Sequence, residues 1–136
     1  MSTSRIIVVA HDSMKPELEC FLSDKEAWLW GRTLVATGQT AAFIESQGFS
    51  VPITRVATGR QGGYVELRCM VEASEVDLVV FFRDPEIVQD YAQEVTDFVK
   101  ACMRENVPIA VNPASAELLI LGIIKSESAA KLRARS

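Results

Sequence analysis

Five short apolar runs, each separated from the next by a stretch with helical periodicity, constrain this chain more than any other feature. Arg5-Ile-Ile-Val-Val-Ala10 and Val76-Asp-Leu-Val-Val-Phe-Phe82 have the near-continuous hydrophobicity of strands buried on both faces. Thr33-Leu-Val-Ala-Thr37, a weaker run from Ile53 to Ala57, and Val107-Pro-Ile-Ala-Val111 read as three more strands. The first intervening helix starts with Ser13 as N-cap and Pro16 in its first turn, buries Leu18, Phe21 and Leu22, and stops at Gly31. The second opens at Gly38-Gln39-Thr40 and ends at Gly48; the third runs from about Tyr64 to Ala73, and the fourth from about Ile87 to Arg104. Asn112-Pro113-Ala-Ser115 leads into a last helix containing Leu118, Leu119 and Ile120. The charged, serine-rich tail from Lys125 is expected to fray or to pack on a neighbour. Strict alternation of strand and helix requires parallel pairing through right-handed crossovers. The expected fold is an α/β three-layer sandwich around a five-stranded parallel sheet, one domain over residues 1–136.

Charge and cysteine usage narrow the function. Lys+Arg 14 against Asp+Glu 18 leaves a net charge of −4, and no Lys/Arg-rich stretch is present. Nucleic acid and anionic membrane are therefore poor partners, whereas a local cationic pocket for a phosphorylated metabolite is compatible. Cys20, Cys69 and Cys102 form no CxxC pair, so they read as reduced thiols of a cytoplasmic protein. No signal-peptide core follows Met1, and no apolar run approaches the ~20 residues of a bilayer span.

Ligands of open parallel sheets bind outside the carboxyl ends of the strands. That edge collects His11, Asp12 and Lys15 after the first strand, then Thr37, Gly38, Gln39 and Thr40 after the second. Thr58, Gly59, Gly62 and Gly63 follow the third, Arg83 and Asp84 the fourth, Asn112 and Ser115 the fifth. Thr37-Gly38-Gln39-Thr40 is a strand-to-helix turn with two hydroxyls, so it is either a pair of caps or half of an anion cradle. Thr58-Gly59 supplies a second wall and Lys15 the counter-charge, which tips the balance towards a phosphate site. His11, the only histidine, is either a structural hydrogen-bonder or a ligand group beside Asp12. Asp84 before Pro85 is either a turn device or a carboxylate at the mouth of the site. Tyr64 and Tyr91 are packing residues or site residues, and Trp28 and Trp30 read as core or subunit-interface anchors.

Taken in order, Ala10-His11-Asp12-x-x-Lys15, Ala36-Thr37-Gly38-x-Thr40, Gly59-x-x-Gly62-Gly63, Phe81-Phe82-x-Asp84-Pro85 and Asn106-Val-Pro-Ile-Ala-x-Asn112 resemble the methylglyoxal synthase family. The resemblance covers Ile6 to about Ile120 and implies that family's fold. It also implies an activity: conversion of dihydroxyacetone phosphate to methylglyoxal and inorganic phosphate, without metal or cofactor, in a homohexamer. In that chemistry a carboxylate removes a carbon-bound proton, and phosphate leaves from the resulting enediolate. By position, His11, Lys15, Thr37, Gln39, Thr40, Thr58 and Gly59 match the family's substrate- and phosphate-binding residues, with Asp12 and Gly38 alongside.

The departures fall on proton transfer. The family's essential aspartate follows the paired glycines, and that position is Tyr64 here. The histidine that polarises the substrate carbonyl aligns with Tyr91, and a second carboxylate aligns with Glu94. A phenol with a pKa near ~10 is a poor base at neutral pH, and losing a general base typically costs ~10²–10⁴ in rate. Glu66, Asp12, Asp84 and Glu94 are the carboxylates available to replace it. The sequence thus leaves two functions standing: a lyase with a rearranged base, or a family member that only binds a small phosphorylated metabolite as a sensor or regulatory module.

Overall fold

A computed structural model describes residues 4–135. Its strands are β1 (Arg5–Ala10), β2 (Thr33–Thr37), β3 (Ile53–Val56), β4 (Leu78–Phe82) and β5 (Ile109–Ala110). The helices are α1 (Lys15–Leu29), α2 (Gly38–Ser46), α3 (Gly63–Glu72), α4 (Ala92–Arg104) and α5 (Pro113–Arg135). All pairings are parallel, in the order β3-β2-β1-β4-β5.

Alternate side chains of the central strands feed two cores. Ile6, Val8 and Ala10 of β1 and Leu78, Val80 and Phe82 of β4 pack with Leu18, Leu22, Ile44, Ala116 and Ile120, so α1, α2 and α5 cover that face. Ile7, Val9, Val79 and Phe81 pack with Tyr64, Leu67, Val95 and Phe98, so α3 and α4 cover the other. Burial on both faces is why β1 and β4 read as unbroken apolar runs. The order reverses between β1 and β4: from β1 the chain moves towards β2 and β3, from β4 towards β5. That reversal opens a crevice at the carboxyl ends of β1 and β4, the usual binding position in such sheets.

Four local expectations are corrected. Ser13 does not cap α1; the segment Asp12–Met14 is a 3-10 turn, and the Ser13 hydroxyl instead donates to Asp84 Oδ2 at 2.6 Å. The fourth helix starts at Ala92, not Ile87, because Asp84 Oδ1 captures the Glu86 N–H (2.9 Å) and folds the segment after β4 into turns. The fifth strand shrinks to Ile109–Ala110, with Pro108, which has no N–H, contributing only its carbonyl to Val79. The tail is not frayed: α5 continues to Arg135. Its start is secured by Asn112, whose Oδ1 accepts the Ser115 N–H at 2.8 Å, with Pro113 as first helical residue. Its far half is anchored through Glu127, which holds Arg32 at 2.7 Å through both carboxylate oxygens. Arg32 in turn stacks 4.0 Å from the ring of half-buried Trp28, while Trp30 is 56% exposed.

Candidate functional site

The crevice between β1 and β4 is built around His11. Its backbone N–H continues the ladder by donating to Phe82 O at 3.1 Å. Its ring meets Phe81 edge-on at 5.7 Å, and its Nδ1 accepts the Asp84 N–H at 2.8 Å. An accepting Nδ1 carries no proton, so the neutral ring bears its hydrogen on Nε2. Burial, with Arg83 next in weight, lowers the His11 pKa and keeps the ring neutral; Asp84 partly offsets this. No protein group among the described residues bonds Nε2, which leaves His11 as a donor towards the cavity it lines.

Lys15 opens α1 and folds back over the end of β1. Its Nζ donates to Ala10 O at 2.6 Å, lies 3.5 Å from Thr40 Oγ1 and 3.8 Å from Asp12 Oδ1. Burial is the main cause of its lowered pKa, partly countered by Asp12. Thr37 and Thr40 are only 5% and 2% exposed, with their hydroxyls 3.4 Å apart. Neither Thr37, at the start of α2, nor Thr58, at the start of the next 3-10 turn, makes a side-chain capping bond. Capping therefore does not explain Thr37, and the buried Thr37 and Thr40 line the strand-end cavity.

Glycines set the tightness of this corner. A Cβ on Gly38 would meet Thr58 Cγ2 at 3.0 Å, and one on Gly63 would lie 2.1 Å from Ala57 O. A Cβ on Gly59 would strike the Tyr91 ring at 2.6–2.8 Å, so Tyr91 lies directly on the Gly59 backbone. Tyr64, 5% exposed, is sandwiched among Phe81 (5.7 Å), Tyr91 (5.7 Å, interplanar angle 24°) and Phe98 (5.9 Å). Burial pushes its phenol pKa far above the ordinary tyrosine range, the Tyr91 ring adds to this, and Arg83 offsets little. Tyr91 is shifted in the same direction, again by burial, with Arg60 opposing.

The cavity at the strand ends measures about 70 Å³ and is partly open to solvent. Among the residues singled out from sequence, His11, Asp12, Thr37, Gln39, Thr40, Gly59, Tyr64 and Tyr91 line it. Lys15 reaches it through Thr40, and Gly38 and Thr58 buttress it. Asp84 does not line it: its carboxylate is occupied by Ser13 and the Glu86 N–H, and its contribution is the backbone amide that orients His11. Glu94 sits in the first turn of α4, off the cavity wall, and Glu66 accepts the Ala57 N–H at 2.7 Å. Ile87 and Gln89 also line the cavity and were missed, because the segment carrying them has helical periodicity and folds as turns. A larger open groove of about 560 Å³ lies between α1 and α5, and its lysine, Lys25, is already paired with Asp24 and Glu117. Among the described residues no group of three or more His, Cys, Asp or Glu is placed to hold a metal ion.

This arrangement has close counterparts. The MGS-like domain family model matches residues 25–111. The methylglyoxal synthase of Cupriavidus taiwanensis is 37% identical over 128 residues, 93% of this chain and 95% of that protein. The chain belongs to the methylglyoxal synthase family. A second relative, the methylglyoxal synthase of Carboxydothermus hydrogenoformans, is 35% identical over 85% of this chain and 95% of its own length. The crystal structure of methylglyoxal synthase from Elizabethkingia anophelis NUHP1 superimposes with a TM-score of 0.78 at 32% identity, covering 86% of this chain and 76% of that one. Family membership accounts for the fold.

Proposed function

We propose that this methylglyoxal synthase-family protein binds a small phosphorylated ligand through its strand-end cavity and lacks the base that would make it an efficient lyase. The observation that carries this reading is the contrast within one cavity. Thr37, Thr40, His11 and Lys15 supply it with buried hydroxyl, neutral N–H and ammonium donors. The same cavity is also lined by a neutral, stacked Tyr64–Tyr91 pair. Donors of this kind in a desolvated seat favour a phosphoryl group. A buried phenol cannot remove a weakly acidic carbon-bound proton at neutral pH. The role that fits is a sensor or regulatory module.

A second reading is supported by Asp12, an exposed residue that borders the cavity and whose carboxylate lies 3.8 Å from Lys15 Nζ. There it would take the proton from the hydroxymethyl carbon of dihydroxyacetone phosphate. The enediolate electrons would then expel phosphate by breaking the carbon–oxygen bond, leaving the enol of methylglyoxal, which gains a proton at its terminal carbon and loses the enol proton to give methylglyoxal beside inorganic phosphate. The resemblance implies no metal or cofactor for this step. Glu94 and Asp84 are the less favoured bases, because neither lines the cavity.

We further propose a homo-oligomer, a hexamer by resemblance, formed with the help of the exposed Leu118, Leu121, Ile124 and Leu132 of α5. The proposed compartment is the cytoplasm, where the free thiols of Cys20, Cys69 and Cys102 stay reduced. No described helix is long and apolar enough to cross a membrane. The net charge of −4 disfavours nucleic acid and anionic lipid as partners. The test is calorimetric titration of orthophosphate and dihydroxyacetone phosphate into wild type and Thr40→Val, alongside assay of methylglyoxal release. Binding that Thr40→Val weakens, with turnover far below that of the Cupriavidus taiwanensis relative, is expected. Turnover equal to that relative's refutes the binding-only reading, and Asp12→Asn then tests the second.

A further inference from the structure

Resting on the reading of a phosphate seat without a base, we propose that this site selects free inorganic phosphate over phosphate carried on a three-carbon sugar. The cavity of about 70 Å³ is far below the ~300–1,000 Å³ of ordinary small-molecule sites. One tetrahedral oxyanion, with half the heavy atoms of a triose phosphate, is the ligand that matches it. The cavity already has its donors in place: the Nε2–H of a neutral His11, the Thr37 and Thr40 hydroxyls, and the Lys15 ammonium behind them.

What removes the room for a sugar is the pair of aromatic rings. Tyr64 cannot retreat, because Phe81 and Phe98 back it at 5.7 and 5.9 Å within a core that is fully buried. Tyr91 cannot settle further in, because its ring already rests against the Gly59 backbone where even a Cβ would not fit. The stacked pair therefore stands as a wall where the carbons of a phosphorylated ketose would extend from the seat. Close-packed aromatic walls do not deform for an extra group without a cost of overpacking. An aspartate and a histidine at these two positions would be smaller and polar, so the replacement changes the shape of the seat as well as its chemistry.

The experiment is competition calorimetry at fixed ionic strength and pH 7.5, with inorganic phosphate and dihydroxyacetone phosphate titrated separately. Wild type is expected to bind inorganic phosphate at least about tenfold more tightly, or ~1.4 kcal/mol. In Tyr91→Ala, which removes only the less buried ring, the ratio should move towards dihydroxyacetone phosphate by about tenfold. Tyr64→Asp combined with Tyr91→His should move it in the same direction; Tyr91→Ala alone decides the matter if the double variant does not fold. Equal or tighter binding of dihydroxyacetone phosphate by wild type, or a ratio unmoved in folded Tyr91→Ala, overturns the selectivity while leaving the phosphate seat standing. Absence of binding by both ligands overturns the seat as well.

Discussion

Exchanging Tyr64 for aspartate and, separately, for phenylalanine divides its chemistry from its packing. At pH 7 a tyrosine with an ordinary pKa near ~10 is ionised in about one molecule in a thousand. Burial among Phe81, Tyr91 and Phe98 lowers that fraction further. An aspartate is ionised almost completely at the same pH, so Tyr64→Asp increases the available base by at least ~10³, within the ~10²–10⁴ typical of general-base catalysis. It also removes a ring that fills the end of the cavity. The cost is stability: deleting a buried aromatic side chain typically costs ~3–5 kcal/mol, against a total of ~5–15 kcal/mol. Tyr64→Phe keeps every ring contact and loses a hydroxyl with no protein hydrogen bond among the described residues, so its expected cost is below ~1 kcal/mol. The assay is methylglyoxal release from dihydroxyacetone phosphate, run at a temperature where circular dichroism shows each variant folded. Wild type and Tyr64→Phe should share one low rate, and Tyr64→Asp should exceed it by about 100-fold. Robust wild-type turnover that Tyr64→Phe abolishes would make Tyr64 a catalytic group. A folded Tyr64→Asp no faster than wild type would show that the missing base is not what limits the rate.

Three further outcomes are expected from the same geometry. The lowered His11 pKa means that between the folded value and the unfolded ~6.5 the unfolded chain binds more protons, so stability should fall as pH drops below ~6.5, and denaturant titrations should show this dependence reduced in His11→Ala. Gly63→Ala places a Cβ 2.1 Å from the Ala57 carbonyl, a backbone atom that cannot move aside; the expected loss is ~3 kcal/mol or more, read as a large fall in melting temperature or failure to fold. Removing residues 126–136 strips Glu127 from Arg32, whose side chain is 14% exposed, and should cost ~1–3 kcal/mol in chemical denaturation, with Glu127→Gln in the full-length chain costing a smaller part of that amount.

The α/β architecture was legible in the chain because strands buried on both faces must be apolar throughout, and Ile6 to Ala10 and Leu78 to Phe82 satisfy that condition locally. His11, Thr37, Thr40 and Gly59 of the strand-end cavity were legible for a related reason: parallel strands deliver the residues after their carboxyl ends to one edge, whatever the order of strands. Everything that depends on residues far apart in the chain had to wait for tertiary structure. Ser13 looks like a cap until Asp84, 71 residues away, arrives to accept its hydroxyl. His11 appears to pair with Asp12, yet the Asp84 backbone amide selects its tautomer. The turns that carry Ile87, Gln89 and Tyr91 to the cavity have the periodicity of a helix and are held by a carboxylate capturing an amide. Sequence alone named Tyr64 as a departure in chemistry. The ring stack showed that it is also a departure in volume, because the size of a cavity is set by how distant side chains fill one space.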